Sequence, residues 1–143
     1  MKVLVSACLL GENCKYSGGN NLSPRVVEWL RNNGHEAVPV CPEVLGGLPV
    51  PRAAAEIAGG VVMTRDGRSV DAEFRRGAEM ALERARREGA RLAVLQPRSP
   101  SCGARQIYDG TFSGRKISGQ GVFAELLLGE GIPVLEPEEL EDP

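Results

Sequence analysis

The sequence predicts an α/β fold in which a mainly parallel sheet is flanked by helices, a Rossmann-like arrangement. Short apolar segments recur along the chain, and segments with helical periodicity separate them. Strands that alternate with helices in this way form parallel sheets. The chain has 143 residues with no internal repeat and no linker-like stretch, so we expect a single domain spanning residues 1–143.

Four apolar segments are expected to form the sheet. Residues 2–6 open the chain with the pattern of a short buried strand, and residues 37–40, 91–95 and 132–135 repeat it. Pro39 makes the second strand the least typical of the four, because proline cannot donate a backbone hydrogen bond.

Helices are predicted between these strands. Ser23 and Pro24 match an N-cap followed by proline at the first helical position, and Gly34 ends that segment. Asp71 is a suitable N-cap for the longest helix, over about residues 72–88, which has an apolar face and an opposite face of arginine and glutamate.

The remaining segments are expected to be a small hairpin, a short helix and long loops that carry cysteines. Residues 61–70 have a hairpin pattern around an Asp-Gly turn, and residues 121–129 predict a short apolar helix. Residues 41–52, rich in proline and glycine, and residues 96–119 are expected to be the loops.

Composition excludes several classes of function. The formal net charge of −2 argues against a DNA-binding domain, since such domains are usually basic. No apolar stretch approaches the ~20 residues that span a bilayer, and no signal-peptide pattern opens the chain. We therefore expect a cytoplasmic protein without a membrane partner. The single histidine, His35, excludes a histidine-rich metal site, and no glycine-rich phosphate-binding motif follows a strand.

The four cysteines are the most informative residues. Cys8, Cys41 and Cys102 follow the first, second and third predicted strands, and Cys14 lies in a loop six residues beyond Cys8. Ligands in parallel sheets bind beyond the carboxyl ends of the strands, so these thiols are expected to converge. Cysteines of a cytosolic protein are more typical of metal or catalytic sites than of disulfides.

The cysteine pattern leaves several interpretations open. Thiolates select iron–sulfur clusters, zinc or Cu(I). A four-cysteine set closes the coordination sphere and favours a structural or electron-transfer role without turnover. A three-cysteine set leaves one metal position free for Lewis-acid catalysis. Alternatively, the thiols are only small buried hydrophobic groups. A small-molecule binding module or partner subunit is a further alternative.

Polar residues near the cysteines are candidates for proton transfer. Glu43 lies two residues after Cys41 and has the chemistry of a general acid or base. Ser99 and Ser101 place hydroxyl groups beside Cys102.

Three further residues are candidates for substrate binding. Arg52 ends a stiff proline-containing segment and is suited to bind an anion or a carbonyl oxygen. Tyr108 and Phe112 lie near a tight turn and are able to stack on a planar ring, or to pack the loop.

Together these segments resemble the 2-thiouracil desulfidase family, a widespread bacterial domain family formerly of unknown function. The resemblance extends from residue 3 to about residue 134. The sequence departs from the family at Ser17, where aspartate is frequent, and at Lys15, where arginine is frequent. The resemblance depends on five motifs in the same order, at residues 5–11, 14–18, 41–52, 99–103 and 108–112.

The resemblance implies a 4Fe-4S cluster held by three cysteines, with a fourth iron free to take the sulfur of the substrate. Cys8, Cys41 and Cys102 are the expected ligands, because Cys14 is the one cysteine that does not directly follow a strand. The implied chemistry is non-redox: iron polarises a thiocarbonyl group, water attacks its carbon and sulfur leaves. Glu43 and Ser101 are the expected proton carriers, with Ser99 close behind.

The resemblance also implies the kind of substrate. A larger relative with an additional C-terminal domain acts on thiolated RNA, whereas this sequence ends at Pro143 without such a domain. We therefore expect a small thiolated nucleobase such as thiouracil, and not RNA, to be the partner. Cys14, Arg52 and Tyr108 are the expected contacts to it.

Overall fold

The structure is a computed structural model that describes residues 1–141. Two short 3-10 turns lie at Ala7–Leu10 and Pro137–Glu139. The α-helices and strands are, in chain order, β1 (Lys2–Ser6), α1 (Pro24–Asn32), β2 (Glu36–Val40), α2 (Pro42–Leu45), β3 (Ala55–Ala58), β4 (Val61–Thr64), α3 (Asp71–Glu88), β5 (Ala93–Val94), β6 (Gln106–Tyr108), β7 (Lys116–Ser118), α4 (Val122–Gly129) and β8 (Val134–Leu135).

The predicted parallel sheet is confirmed. Its four strands run in the order β2-β1-β5-β8, and every neighbouring pair is parallel. Pro39 pairs with Val5 within β2. Because β2 is an edge strand, the sheet tolerates a residue that has no backbone donor.

Helices cover both faces of the sheet. Leu4 of β1 packs in a core cluster with Phe74 of α3 and Phe123 of α4. The adjacent Val5 points to the other face, where it packs with Val26 of α1. This alternation along one strand explains why its residues are buried on both sides.

The helix boundaries agree with the prediction except for one cap. The Ser23 hydroxyl accepts a hydrogen bond from the Val26 backbone N–H at 3.3 Å, as an N-cap does. Asp71 is not the N-cap of α3: it lies in the first turn, where its carboxylate accepts the Val62 backbone N–H at 3.0 Å. The carboxylate thus joins the start of α3 to strand β4.

The predicted hairpin at residues 61–70 forms in part: the Thr64 N–H donates to the Arg68 carbonyl oxygen at 2.9 Å, and the Val70 N–H donates to the Val62 carbonyl oxygen at 3.0 Å. Met63 and Ser69 form an isolated antiparallel bridge there, and residues 61–64 also pair, on their other side, with the preceding strand β3, which the sequence pattern did not predict. The turn between β3 and β4 uses Gly59 and Gly60 at φ 58° and 82°. Two consecutive positive φ angles are what a tight hairpin turn requires, and glycine adopts them readily.

The expectation of long loops needs two corrections. Residues 96–119 contain an antiparallel hairpin, β6–β7, in which Ile107 pairs with Ile117. Residues 41–52 contain the short helix α2, which begins directly after Cys41.

Two glycines allow α2 to lie against α3. A β-carbon at Gly77 would collide with the carbonyl oxygen of Pro42, and one at Gly46 would collide with that of Glu73. The two backbones therefore touch, and Arg76 adds a hydrogen bond from Nη2 to the Gly46 carbonyl oxygen at 2.7 Å. This contact fixes the position of the segment that carries Cys41 and Glu43.

Among the helices of residues 1–141, none combines the length and the apolar character needed to cross a membrane.

Candidate metal centre and active site

A cavity of about 510 Å³ lies where the segments that follow the strands come together. All four cysteines line it. The strands β2, β1 and β5 are adjacent in the sheet, and Cys41, Cys8 and Cys102 come after them in that order.

Cys8 lies in the 3-10 turn that directly follows β1, and its side chain is buried. Asn21 contacts it twice. Its backbone N–H donates to the Cys8 carbonyl oxygen at 2.9 Å, and its side-chain Nδ2 donates to Sγ at 3.7 Å. Asn21 thus holds both the backbone and the sulfur of Cys8.

Cys41 and Cys14 are held against each other. The Cys41 thiol donates to the Cys14 carbonyl oxygen at 3.7 Å, and Arg52 Nη2 donates to the same oxygen at 2.9 Å. The Arg52 backbone N–H also donates to the Tyr16 carbonyl oxygen at 2.8 Å. Residues 14–16 are therefore anchored to the segment that ends at Arg52.

Cys102 is held by a serine turn and by the start of α4. Ser99 Oγ accepts the backbone N–H groups of Ser101 and Cys102, both at 3.1 Å. The backbone N–H groups of Val122 and Phe123 donate to the carbonyl oxygens of Pro100 and Ser101, both at 2.8 Å. The first turn of α4 thus obtains acceptors from the loop that carries the cysteine.

A chain of hydrogen bonds links Glu43 to the serines beside Cys102. Arg52 Nε and Nη2 each lie 3.0 Å from Glu43 Oε1, and Ser101 Oγ donates to Oε2 at 2.8 Å. Ser99 Oγ lies 3.0 Å from Ser101 Oγ. Because Ser99 already accepts two backbone N–H groups, its own proton points to Ser101, and the chain runs from Ser99 through Ser101 to Glu43.

The Glu43–Arg52 pair is almost withdrawn from solvent: the Arg52 side chain is 6% exposed and that of Glu43 is 15% exposed. A charge-assisted contact that is this far withdrawn from solvent is stronger than a surface ion pair.

The electrostatics of the cavity favour protonated thiols in the metal-free protein. Burial is the main cause that raises the pKa of Cys8 and of Cys102, and the nearby Glu43 carboxylate adds to it in both. Burial and the neighbouring Cys41 raise the pKa of Cys14 to about 12. Metal binding therefore has to displace protons from these groups, and uptake of a metal centre releases protons.

The donor set fits an iron–sulfur cluster better than a single metal ion. Within residues 1–141, no three side chains of histidine, cysteine, aspartate or glutamate are placed to hold one metal ion. In a cluster each thiolate binds a different iron, so the body of the cluster separates the sulfurs. Four thiols around one cavity, without a histidine in its lining, match the ligand type of such clusters.

The two hairpins supply another part of the lining. The cavity is also lined by Glu56 of β3, Arg65 just after β4, Tyr108 at the end of β6, and Phe112 between β6 and β7. Arg98, which precedes the serine turn, lines it as well. This part combines aromatic rings with guanidinium groups.

The structure brings every candidate residue from the sequence to this cavity. They are Cys8, Cys14, Cys41, Glu43, Arg52, Ser99, Ser101, Cys102 and Tyr108. The Arg52 guanidinium, expected to contact substrate, donates to Glu43, to the Cys14 carbonyl oxygen and, from Nη1 at 3.1 Å, to the Pro49 carbonyl oxygen.

Sequence reasoning missed several residues of the lining. Asn21, Glu56, Arg65 and Arg98 have no cysteine next to them, and no motif in the sequence singles them out. The one available signal for Asn21 was its place in the loop between Cys14 and the first helix.

A family model described as 2-thiouracil desulfurase matches residues 3–139. The chain belongs to the 2-thiouracil desulfurase family. Membership of this family indicates an enzyme that removes sulfur from its substrate.

Two relatives extend this comparison. A solved structure described as the 4Fe-4S-dependent thiouracil desulfidase TudS is 44% identical, with a TM-score of 0.90 over 97% of this chain and 92% of that chain. The uncharacterized protein YbbK of Bacillus subtilis (strain 168) is 39% identical over 150 aligned residues, which cover 98% of each protein.

Proposed function

We propose that the protein removes sulfur from a thiolated pyrimidine such as thiouracil, with a 4Fe-4S cluster bound in the cavity. The observation that carries this proposal is that thiols from separate segments line one cavity together with the Glu43–Ser101 hydrogen bond. The family match and the likeness to TudS support it.

Cys8, Cys41 and Cys102 are the proposed ligands of the cluster. Cys8 and Cys41 lie at the ends of β1 and β2, and the serine turn and the start of α4 hold Cys102. Cys14 lies in a loop, and its own carbonyl oxygen accepts from Cys41 and Arg52. We assign Cys14 a place beside the cluster, where it contacts substrate or holds the loop.

The proposed reaction is a hydrolysis without electron transfer: one water and one thiocarbonyl group give a carbonyl group and hydrogen sulfide. A cluster held by three thiolates supplies, when bound, one iron without a protein ligand, which acts as a Lewis acid toward the thiocarbonyl sulfur. The residues of the chain then have to place the water and move its protons.

Glu43, Ser101 and Ser99 are the proposed proton carriers. Ser101 Oγ passes its proton to Glu43 Oε2 along the existing 2.8 Å hydrogen bond while it accepts a proton from the attacking water. Ser99 holds the Ser101 hydroxyl in this orientation. When sulfur leaves, the protonated carboxyl group returns the proton along the same path.

Arg52 acts mainly through Glu43 in this proposal. The hydrogen bond from its Nε to Oε1, with Nη2 3.0 Å from the same oxygen, leaves the second carboxylate oxygen to Ser101. Tyr108 keeps its proposed role as a contact to the nucleobase.

The proposed substrate is a small thiolated nucleobase rather than RNA, and the proposed location is the cytoplasm.

A second candidate function is a four-cysteine cluster with a structural or electron-transfer role. The presence of Cys14 in the same cavity favours this alternative, and it predicts that all four cysteines bind metal.

The proposal is tested by reconstituting the protein with iron and sulfide without oxygen and adding 2-thiouracil. We expect uracil and sulfide to form in equal amounts over many turnovers. The matched control is the same preparation before reconstitution, which should form neither. Bound cluster without any release of sulfide from 2-thiouracil, 4-thiouracil or their nucleosides would favour the four-cysteine alternative.

A further inference from the structure

Phe112 has a backbone conformation that its side chain does not favour. Its φ of 56° is in the left-handed region, where residues other than glycine, asparagine and aspartate are uncommon. Such strain persists only where the surroundings impose it, and it is concentrated at functional sites. The Phe112 side chain lines the cavity.

Glu56 imposes this conformation. Its Oε1 accepts the backbone N–H groups of Gly110 at 3.0 Å and of Phe112 at 3.1 Å. Glu56 is in β3, in the other hairpin, so one carboxylate oxygen joins the two hairpins at the cavity. The half-buried carboxylate thereby fixes the turn that directs Phe112.

Arg65 completes the arrangement. Its guanidinium carbon lies 5.4 Å from the centre of the Phe112 ring, within the range of a cation–π contact. Both side chains line the cavity. In the part of the chain that the structure describes, no carboxylate forms an ion pair with Arg65. Its donors are therefore available to a ligand.

We propose that Phe112 and Arg65 form the surface that binds the planar ring of the substrate, and that Glu56 is the positioning residue that holds it. The choice of a pyrimidine ring rests on the proposed function. The phenyl face offers stacking, and the guanidinium group offers donors to a ring carbonyl oxygen. This surface binds the ring whether or not it carries sulfur.

Substitutions of Glu56 separate positioning from acid–base chemistry. Glu56→Gln keeps an oxygen that accepts the two backbone N–H groups, whereas Glu56→Ala removes it. A positioning residue therefore tolerates glutamine and not alanine. A residue that exchanges protons with substrate tolerates neither.

The test measures binding of uracil, the sulfur-free ring, to the full chain purified without oxygen, by equilibrium dialysis. We expect Phe112→Leu and Glu56→Ala to weaken uracil binding about tenfold, the scale of losing one base–aromatic stack. Glu56→Gln and the control Ile117→Leu, on the exposed strand β7, should bind uracil like the wild type. In turnover, Phe112→Leu should raise KM by a similar factor and leave kcat within about twofold.

Unchanged uracil binding in Phe112→Leu would overturn the proposed surface, and equal losses in Glu56→Gln and Glu56→Ala would overturn the positioning role. Failure of the wild type to bind uracil would also overturn the inference. Because dialysis does not depend on sulfide release, uracil binding without desulfidation would contradict only the proposed function.

Discussion

Replacement of Cys102 by alanine is expected to abolish both the cluster and the desulfidase activity. Cys102 is buried at the end of the serine turn, and no other thiol follows β5. With Cys8 and Cys41 alone, two irons instead of one would have no protein ligand. We expect iron content and visible absorption to fall to background, together with sulfide release.

Cys14→Ala is the matched control for this loss. It removes a thiol from the same cavity that is not one of the three proposed ligands, so the cluster should remain largely intact. Thermal unfolding should show that both variants are folded. Full cluster occupancy in Cys102→Ala would contradict the three-cysteine site, and loss of the cluster in Cys14→Ala would support the four-cysteine alternative.

Glu43→Gln is expected to slow desulfidation by ~10²-fold or more while the cluster is retained, the usual scale for removal of a general acid or base. Glutamine has nearly the same shape as glutamate, and no iron ligand is lost. The amide cannot take the proton that Ser101 passes on, and the ion pair with Arg52 is lost.

The measurement compares the rate of sulfide release at saturating 2-thiouracil with the visible absorption of the same sample. Ser101→Ala should reduce the rate to a comparable degree, since the hydrogen-bond chain runs through its hydroxyl. Full turnover by Glu43→Gln would remove Glu43 from the mechanism.

The sequence was sufficient to predict the sheet and the placement of the cysteines. The strands are short and apolar, and helices separate them, so their parallel order and the edge at which Cys8, Cys41 and Cys102 emerge follow from general rules. The hairpins were harder to predict. Two neighbouring turns, Gly59-Gly60 and Asp66-Gly67, both form and place residues 61–64 between two hydrogen-bonded partners, whereas the local pattern predicts only the second turn.

Contacts across long sequence separations were beyond prediction. Nothing near Arg52 in the sequence indicates that its guanidinium binds Glu43. Likewise, no local pattern marks Glu56, which the fold brings to the backbone of Gly110 and Phe112. Such side-chain to backbone contacts depend on the packing of whole elements, which residue patterns do not encode locally.

The central claim is that three cysteines hold a cluster whose fourth iron is free for the substrate. Mössbauer spectroscopy of the protein reconstituted with ⁵⁷Fe tests it most directly, with and without 2-thiouracil. The proposed site predicts iron environments in a ratio of about 3:1, because three cysteines serve four irons, and only the minor component should change when 2-thiouracil is added. Four equivalent thiolate-bound irons that do not respond to 2-thiouracil would contradict it.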